Sequence, residues 1–184
     1  MASSSPFDKS FAHVVGVEGG YSDHPDDRGG KTKYGITEAV AREEGWTGSM
    51  RDLPLEFAKS VYRKRYWNVL RLDEVAAMSE SVAHELFDTG VNMGTGTAGK
   101  FLQRSLNALN RQGTDYADIS VDGAVGPKTV AALRAFFAKR GKAGESVLLK
   151  ALNCLQGARY IELAEQRQAN ESFVFGWLSN RVGF

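Results

Sequence analysis

The 184 residues include one cysteine, four prolines and three histidines, and no long apolar run. A single cysteine excludes an internal disulfide, so folding requires no oxidising compartment. Cys154 falls in helical register with Val147, Ala151, Ala158 and Ile161 and is expected as a small buried hydrophobe, not a nucleophile. His13, His24 and His84 lack the spacing of a metal site, and one thiol cannot complete a zinc cluster, so no metal and no other cofactor is expected. No stretch approaches the length of a membrane span, and Met1 to Ser5 is short and polar without the apolar core of a secretory signal. The expectation is synthesis in a cytoplasm, without stable membrane insertion. A phosphate-cradling glycine loop ending in Lys-Ser/Thr is missing, as is a Gly-x-Ser-x-Gly elbow, which sets aside nucleotide-loop and serine-hydrolase chemistry.

What is present is ordinary for a globular chain: 42% hydrophobic and 24% charged residues, enough for one core or two small lobes. The net charge of +1 is unevenly placed. Residues 1–93 carry 11 Lys/Arg against 15 Asp/Glu, and residues 94–184 carry 12 against 7. The basic second half would draw the protein toward an anionic polymer, such as a cell-wall glycan, nucleic acid or lipopolysaccharide; an unevenly decorated surface accounts for the same numbers.

Helical patterning dominates. Phe7, Phe11 and Val14 predict a helix over 7–18 that places Glu18 on its buried stripe, with Gly19-Gly20 as the stop. Thr37 reads as the N-cap of a short helix ended by Gly45, and Pro54 opens another in which two of Tyr62, Tyr66 and Trp67 belong to the core. Ser79 or Ser81 caps a helix toward Asn92 with Val82, Leu86 and Val91 inward, and Thr97 starts the next one. Residues 110–126 are irregular. Gly126-Pro127 begins a helix to about Lys139, followed by a long one over about 144–168 and a short aromatic one near 172–180, in which Phe173 and Trp177 are expected to close the core, an amphipathic element with Arg167 and Arg181 touching outer membrane or wall being the alternative. Strand signal is confined to 20–36 and 119–125.

The chemistry concentrates in Glu18-Gly19-Gly20-Tyr21, Asp26-Asp27, Gly29-Gly30, Thr32 and Tyr34-Gly35-Ile36-Thr37. A carboxylate partly buried near a helix C-terminus is pushed toward its protonated form, which suits a general acid; a surface Glu at a frayed helix end is the plainer alternative. Asp26 or Asp27, on a polar loop, would stay ionised, giving the split between two carboxylates that glycosidic cleavage requires. Either aspartate, or Thr32, also has a purely structural account in an Asx-turn or a strand. Asp88 and Asn92 lie one helical turn apart, where they would line a groove or hydrogen-bond inside the fold.

These motifs, with Asp88-x-x-x-Asn92-x-Gly94, resemble the signature of glycoside hydrolase family 108, bacterial and phage peptidoglycan N-acetylmuramidases. Leu102-Gln103, Val121-Asp122-Gly123-x-x-Gly126-Pro127-x-Thr129 and Phe175-Gly176-Trp177-Leu178-x-x-Arg181 resemble the predicted peptidoglycan-binding region attached to that family. The resemblance implies a mainly α, lysozyme-like fold with a small β-hairpin and two lobes around a cleft. It divides the chain into a disordered 1–6, a catalytic region 7–93 and a helical peptidoglycan-binding region 94–184, the last either a separate domain or one globule with the catalytic region. It implies a phage-type endolysin that hydrolyses the β-1,4 bond between N-acetylmuramic acid and N-acetylglucosamine, acting as a monomer on peptidoglycan after a holin opens the host membrane, with no nucleic-acid partner. Glu18 maps onto the catalytic acid. By the order seen in the more distant T-even phage lysozymes, Asp27 (Asp26 as alternative) and Thr32 would position the water. Tyr21, Tyr34, Asp88 and Asn92 are the candidate substrate contacts, with filling of the hairpin as the equal alternative for Tyr34. A lytic transglycosylase or a non-catalytic wall-binding module remain the competing functions.

Overall fold

Ser5 accepts a hydrogen bond from the Asp8 amide and Pro6 pre-sets the first turn, so α1 begins at Pro6 and runs to Val14. The computed structural model of the chain describes residues 4–16, 20–22 and 30–183. The described residues fall into two compact units, residues 1–68 and 69–184. This division lies ahead of position 93, because the helices after Asn68 pack on the later helices of the chain.

In the first unit α1 stops earlier than its apolar spacing predicts. Gly16 adopts a left-handed conformation (φ 80°) directly after the Val15 cap, and such a residue terminates a helix. The expected place of Glu18 on the buried stripe lies outside the described residues. A two-stranded antiparallel hairpin follows, β1 (Thr32–Lys33) paired with β2 (Ile36–Thr37), Thr32 opposite Thr37. Thr37 then caps α2 (Glu38–Glu43), and Gly45 ends it as expected. A 3-10 turn (Met50–Asp52) precedes α3 (Leu55–Tyr62), entered through Pro54.

From α3 the chain widens into a π-helical turn, Arg63–Trp67, closed by the Asn68 amide donating to the Arg63 carbonyl at 2.8 Å. Trp67 is thereby carried fully inside, against the Phe7 edge, while Phe11 meets Tyr62 edge-on. Trp67 and Tyr62 are the two core members of the aromatic trio, and Tyr66 stays half-buried, stacked on Tyr62. Lys64 and Arg65 on the outer side of this turn pair with Glu44 and Glu43, tying the end of α2 to the widened helix.

The α-helices of the second unit are α4 (Leu72–Ala76), α5 (Glu80–Met93), α6 (Thr95–Leu109), α7 (Pro127–Gln166) and α8 (Glu171–Arg181), with an irregular connection between α6 and α7. Ser79 is the cap of α5, Val82 and Leu86 are buried, and Val91 only partly so. The break expected between Lys139 and residue 144 occurs at Gly141 (φ 53°, ψ −146°), the one non-helical residue within α7. The 119–125 stretch forms no strand. Side-chain amides of α6 occupy its main chain instead: Asn107 both donates to the Ile119 carbonyl and accepts from its amide, and Gln103 accepts from the Gly123 amide.

Two expectations about the second unit are reversed. Cys154 is exposed, as are Val147, Ala158 and Ile161 on its stripe. The inward stripe of α7 is the neighbouring one, with Leu148, Leu152, Asn153, Gln156, Gly157, Tyr160 and Ala164 buried. Asn153 and Gln156 are polar residues inside a core because each is hydrogen-bonded there. At the C-terminus Phe173 and Phe175 are 59% and 83% exposed, so they do not close the core; Trp177 does so in part, stacked on Tyr160 at 5.2 Å. Among the described residues no helix is long and apolar enough to cross a membrane.

Candidate functional site

The hairpin turns through Tyr34 (φ 51°) and Gly35 (φ 72°), the two-positive-φ geometry whose twist matches paired antiparallel strands. A Cβ on Gly35 would sit 2.5 Å from the Tyr62 hydroxyl, so the tyrosine can reach the turn only because residue 35 has no side chain. That hydroxyl donates to the Tyr34 carbonyl at 3.1 Å, fastening the turn to α3. Burial pushes the Tyr62 phenol up to about 12, with Tyr66 adding to the shift, so the donor keeps its proton.

Ser22 lies alongside Thr32, and the two exchange amide-to-carbonyl hydrogen bonds at 2.9 Å each. This bridge brings the end of the Glu-Gly-Gly-Tyr motif beside β1 and fixes both flanks of the segment carrying Asp26 and Asp27. Glu18, His24, Asp26 and Asp27 themselves lie outside the described residues. Thr32 is half-buried in β1, and its hydroxyl donates to the Gly30 carbonyl at 3.1 Å. Its lone pairs are thus left for an incoming donor. Tyr34 is half-buried at the turn, with the Lys33 ammonium 5.4 Å from its ring centre.

Tyr21 is also half-buried. The Arg51 guanidinium lies over its ring, 4.3 Å from the centroid, in cation–π geometry. The Lys33 ammonium donates to the main-chain carbonyl of Arg51, joining β1 to the 3-10 turn. Sequence reading did not single out Arg51 or Lys33. Their significance comes from contacts 30 and 18 residues apart in the chain, which leave no periodic signal.

Asp88 takes the hydrogen-bonding alternative of its two readings. It is buried, accepting from Arg181 Nη1 at 2.6 Å, Gln156 Nε2 at 2.8 Å and Asn92 Nδ2 at 3.1 Å. It thereby joins α5 to α7 and α8. Three residues before it Glu85 is also buried. Desolvation first, and the Asp88 charge second, raise its carboxyl to about 7. Glu85 Oε1, Gln156 Oε1 and the Tyr160 hydroxyl are buried without a hydrogen-bond partner. Glu85 was missed because it falls between the apolar positions Val82 and Leu86 that define the inward face. Among the described residues no three His, Cys, Asp or Glu side chains gather as a metal site would require.

The signature of the second region is equally structural. Gln103 Nε2 donates to Asp122 Oδ1 (2.8 Å) and the Ala124 carbonyl (3.0 Å), with Thr129 Oγ1 at 3.3 Å. The Val-Asp-Gly turn crosses the start of α6 so closely that a Cβ on Gly123 would lie 2.6 Å from the Gly96 carbonyl oxygen. Gly99 similarly faces the Gly123 carbonyl with no room for a methyl group.

Comparisons with known proteins agree with this division of motifs. Residues 11–94 match the family model described as Glycosyl hydrolase 108, and residues 97–182 match that described as Predicted Peptidoglycan domain. The solved structure of Brucella abortus SagA is similar, with 27% identity over 94% of this chain and 95% of that one, at a TM-score of 0.55. No protein of curated function matches the chain.

Proposed function

From the premise that this chain belongs to the glycosyl hydrolase 108 family, with a predicted peptidoglycan domain behind the hydrolase region, we propose that it hydrolyses the β-1,4 bond between N-acetylmuramic acid and N-acetylglucosamine. The match of residues 11–94, which contain the Glu18 motif and the hairpin beside it, carries the reading. In this mechanism Glu18 is protonated and donates to the glycosidic oxygen as the bond to the anomeric carbon breaks. Asp27, or Asp26 in its place, acts on a water on the opposite sugar face. Because the Thr32 hydroxyl gives its proton to Gly30, it would serve that water as an acceptor. A water donating to Thr32 and to the carboxylate turns a lone pair toward the anomeric carbon, and the result is inversion. Tyr21 and Tyr34 would contact the sugars.

The physiological role we assign is that of a phage-type endolysin. The enzyme would accumulate as a monomer in the host cytoplasm and reach the wall through a holin pore. The pairing of a glycosidase region with a peptidoglycan domain supports a role in wall degradation.

Purified peptidoglycan digested by the wild type and by Glu18→Gln, with mass spectrometry of the released fragments, tests the reaction. The expected products carry one added water and a reducing N-acetylmuramic acid, and the variant is slower by roughly 100- to 10,000-fold with an unchanged circular dichroism spectrum. Anhydro-muramic products would mean transglycosylation. Full activity in the folded variant would remove Glu18 from the mechanism.

A further inference from the structure

Resting on the peptidoglycan reading, we propose that Arg51 and Lys33 form an anion subsite that takes the carboxylates of the peptide stem carried by muramic acid. Peptidoglycan is a glycan in which every second sugar bears a short acidic peptide, so an enzyme cutting beside muramic acid meets carboxylates next to the scissile bond.

The basis is that these two cations are held in place by groups other than carboxylates, unlike most of their neighbours. In the same unit Arg42 pairs with Glu38, Lys59 with Asp8 and Glu56, Lys64 with Glu44, and Arg65 with Glu43 and Glu44. Neither Arg51 nor Lys33 pairs with any carboxylate among the described residues, although Asp52 is next in the chain to Arg51. Both are nonetheless held in place. The Tyr21 ring supports one face of the Arg51 guanidinium, and no carboxylate among the described residues takes its N–H edges, whose fork suits a planar anion. The bond from Lys33 to the Arg51 carbonyl brings the second cation to the same turn, and an ammonium that spends one N–H this way keeps two. General basicity does not explain the pair, because residues 1–93 carry an excess of acidic side chains. The location fits as well: the ring supporting Arg51 is the tyrosine of the Glu18 motif, three residues from the proposed acid.

The test compares two substrates, intact peptidoglycan and the same glycan after an amidase has removed its stems. Exposed charge pairs are individually weak, so the wild type should favour the stem-bearing substrate through KM by about five- to tenfold. Arg51→Gln/Lys33→Gln should lose that preference, the ratio of KM values between the two substrates falling to about one, with a circular dichroism spectrum like that of the wild type showing that it is folded. Arg51→Lys should keep part of the preference. A second arm needs no turnover: with Glu18→Gln in the background, calorimetry compares a muramoyl disaccharide bearing L-Ala-D-Glu with its stem-free counterpart. An undiminished preference in the double variant, in either arm, overturns the subsite. Absence of wild-type cleavage of both substrates would instead sink the hydrolase reading, and the binding arm would still decide the subsite.

Discussion

Gly35 illustrates how much a single residue can carry. Its φ of 72° is one that a side chain adopts at a cost of about 1–2 kcal/mol, and an added methyl would also displace the Tyr62 hydroxyl from the Tyr34 carbonyl. Gly35→Ala should therefore destabilise the protein by about 2–3 kcal/mol in urea titration, with the lost hydrogen bond adding to the strain. Gly30→Ala is the natural control, since Gly30 also has positive φ (64°) but an added Cβ would meet no atom of the described residues within 4 Å, and it should cost only the strain. Equal losses in both variants would show that Tyr62 contributes nothing to the hairpin. The positive φ at a Tyr-Gly pair was within reach of the sequence, because such turns favour glycine; the tyrosine pressing on it from α3 was not.

At the scale of elements, the boundaries that follow local chemistry were readable. Thr37, Ser79, Pro54 and Pro127 start helices where their side chains or rings demand it, and Gly141 breaks α7 where a break was expected. The errors arise where a distant side chain replaces a local partner. The 119–125 segment has strand-like residues but receives its hydrogen bonds from Asn107 and Gln103 on α6. Gln103→Leu should test this substitution of amide for strand. It leaves the Gly123 amide unpartnered inside the fold, along with the other groups Gln103 serves, at a cost of about 3 kcal/mol in unfolding free energy. A loss under about 0.5 kcal/mol would mean that the turn holds itself. The same logic explains Cys154. Asn153 and Gln156 are buried by their hydrogen bonds, so the polar residues of α7 occupy the inward face that an apolar count assigns to its neighbours.

At the scale of the whole molecule, stability should carry the mark of one buried carboxyl. The Glu85 proton is held up to a pH of about 7 in the folded state against 4.5 for an unperturbed glutamate. Between those values the folded protein binds a proton that the unfolded chain has released, so this group's contribution to stability falls as pH rises, and levels off above about 7. The shift corresponds to on the order of 3 kcal/mol. Glu85→Gln cannot ionise; it should match the wild type near pH 5 and exceed it near pH 8, read as the difference in thermal midpoints. A constant difference across that range would show that Glu85 does not titrate with folding. Asp122 acts in the opposite direction. The hydrogen bond from Gln103 holds its carboxyl below the usual range, so its contribution is lost as pH falls into the acidic region.

By itself the sequence determined the class of the fold, most of the helix starts, and the order of motifs by which the two regions match their family models. These depend on residues within a turn or two of each other, where propensity, capping and glycine conformation act directly. Only the tertiary structure decided which stripe of α7 faces inward, that Asp88 and Gln103 are anchors within the fold, and that Arg51 lies over Tyr21. Each of these joins side chains from elements far apart in the chain, and burial or hydrogen bonding between them can outweigh the local pattern.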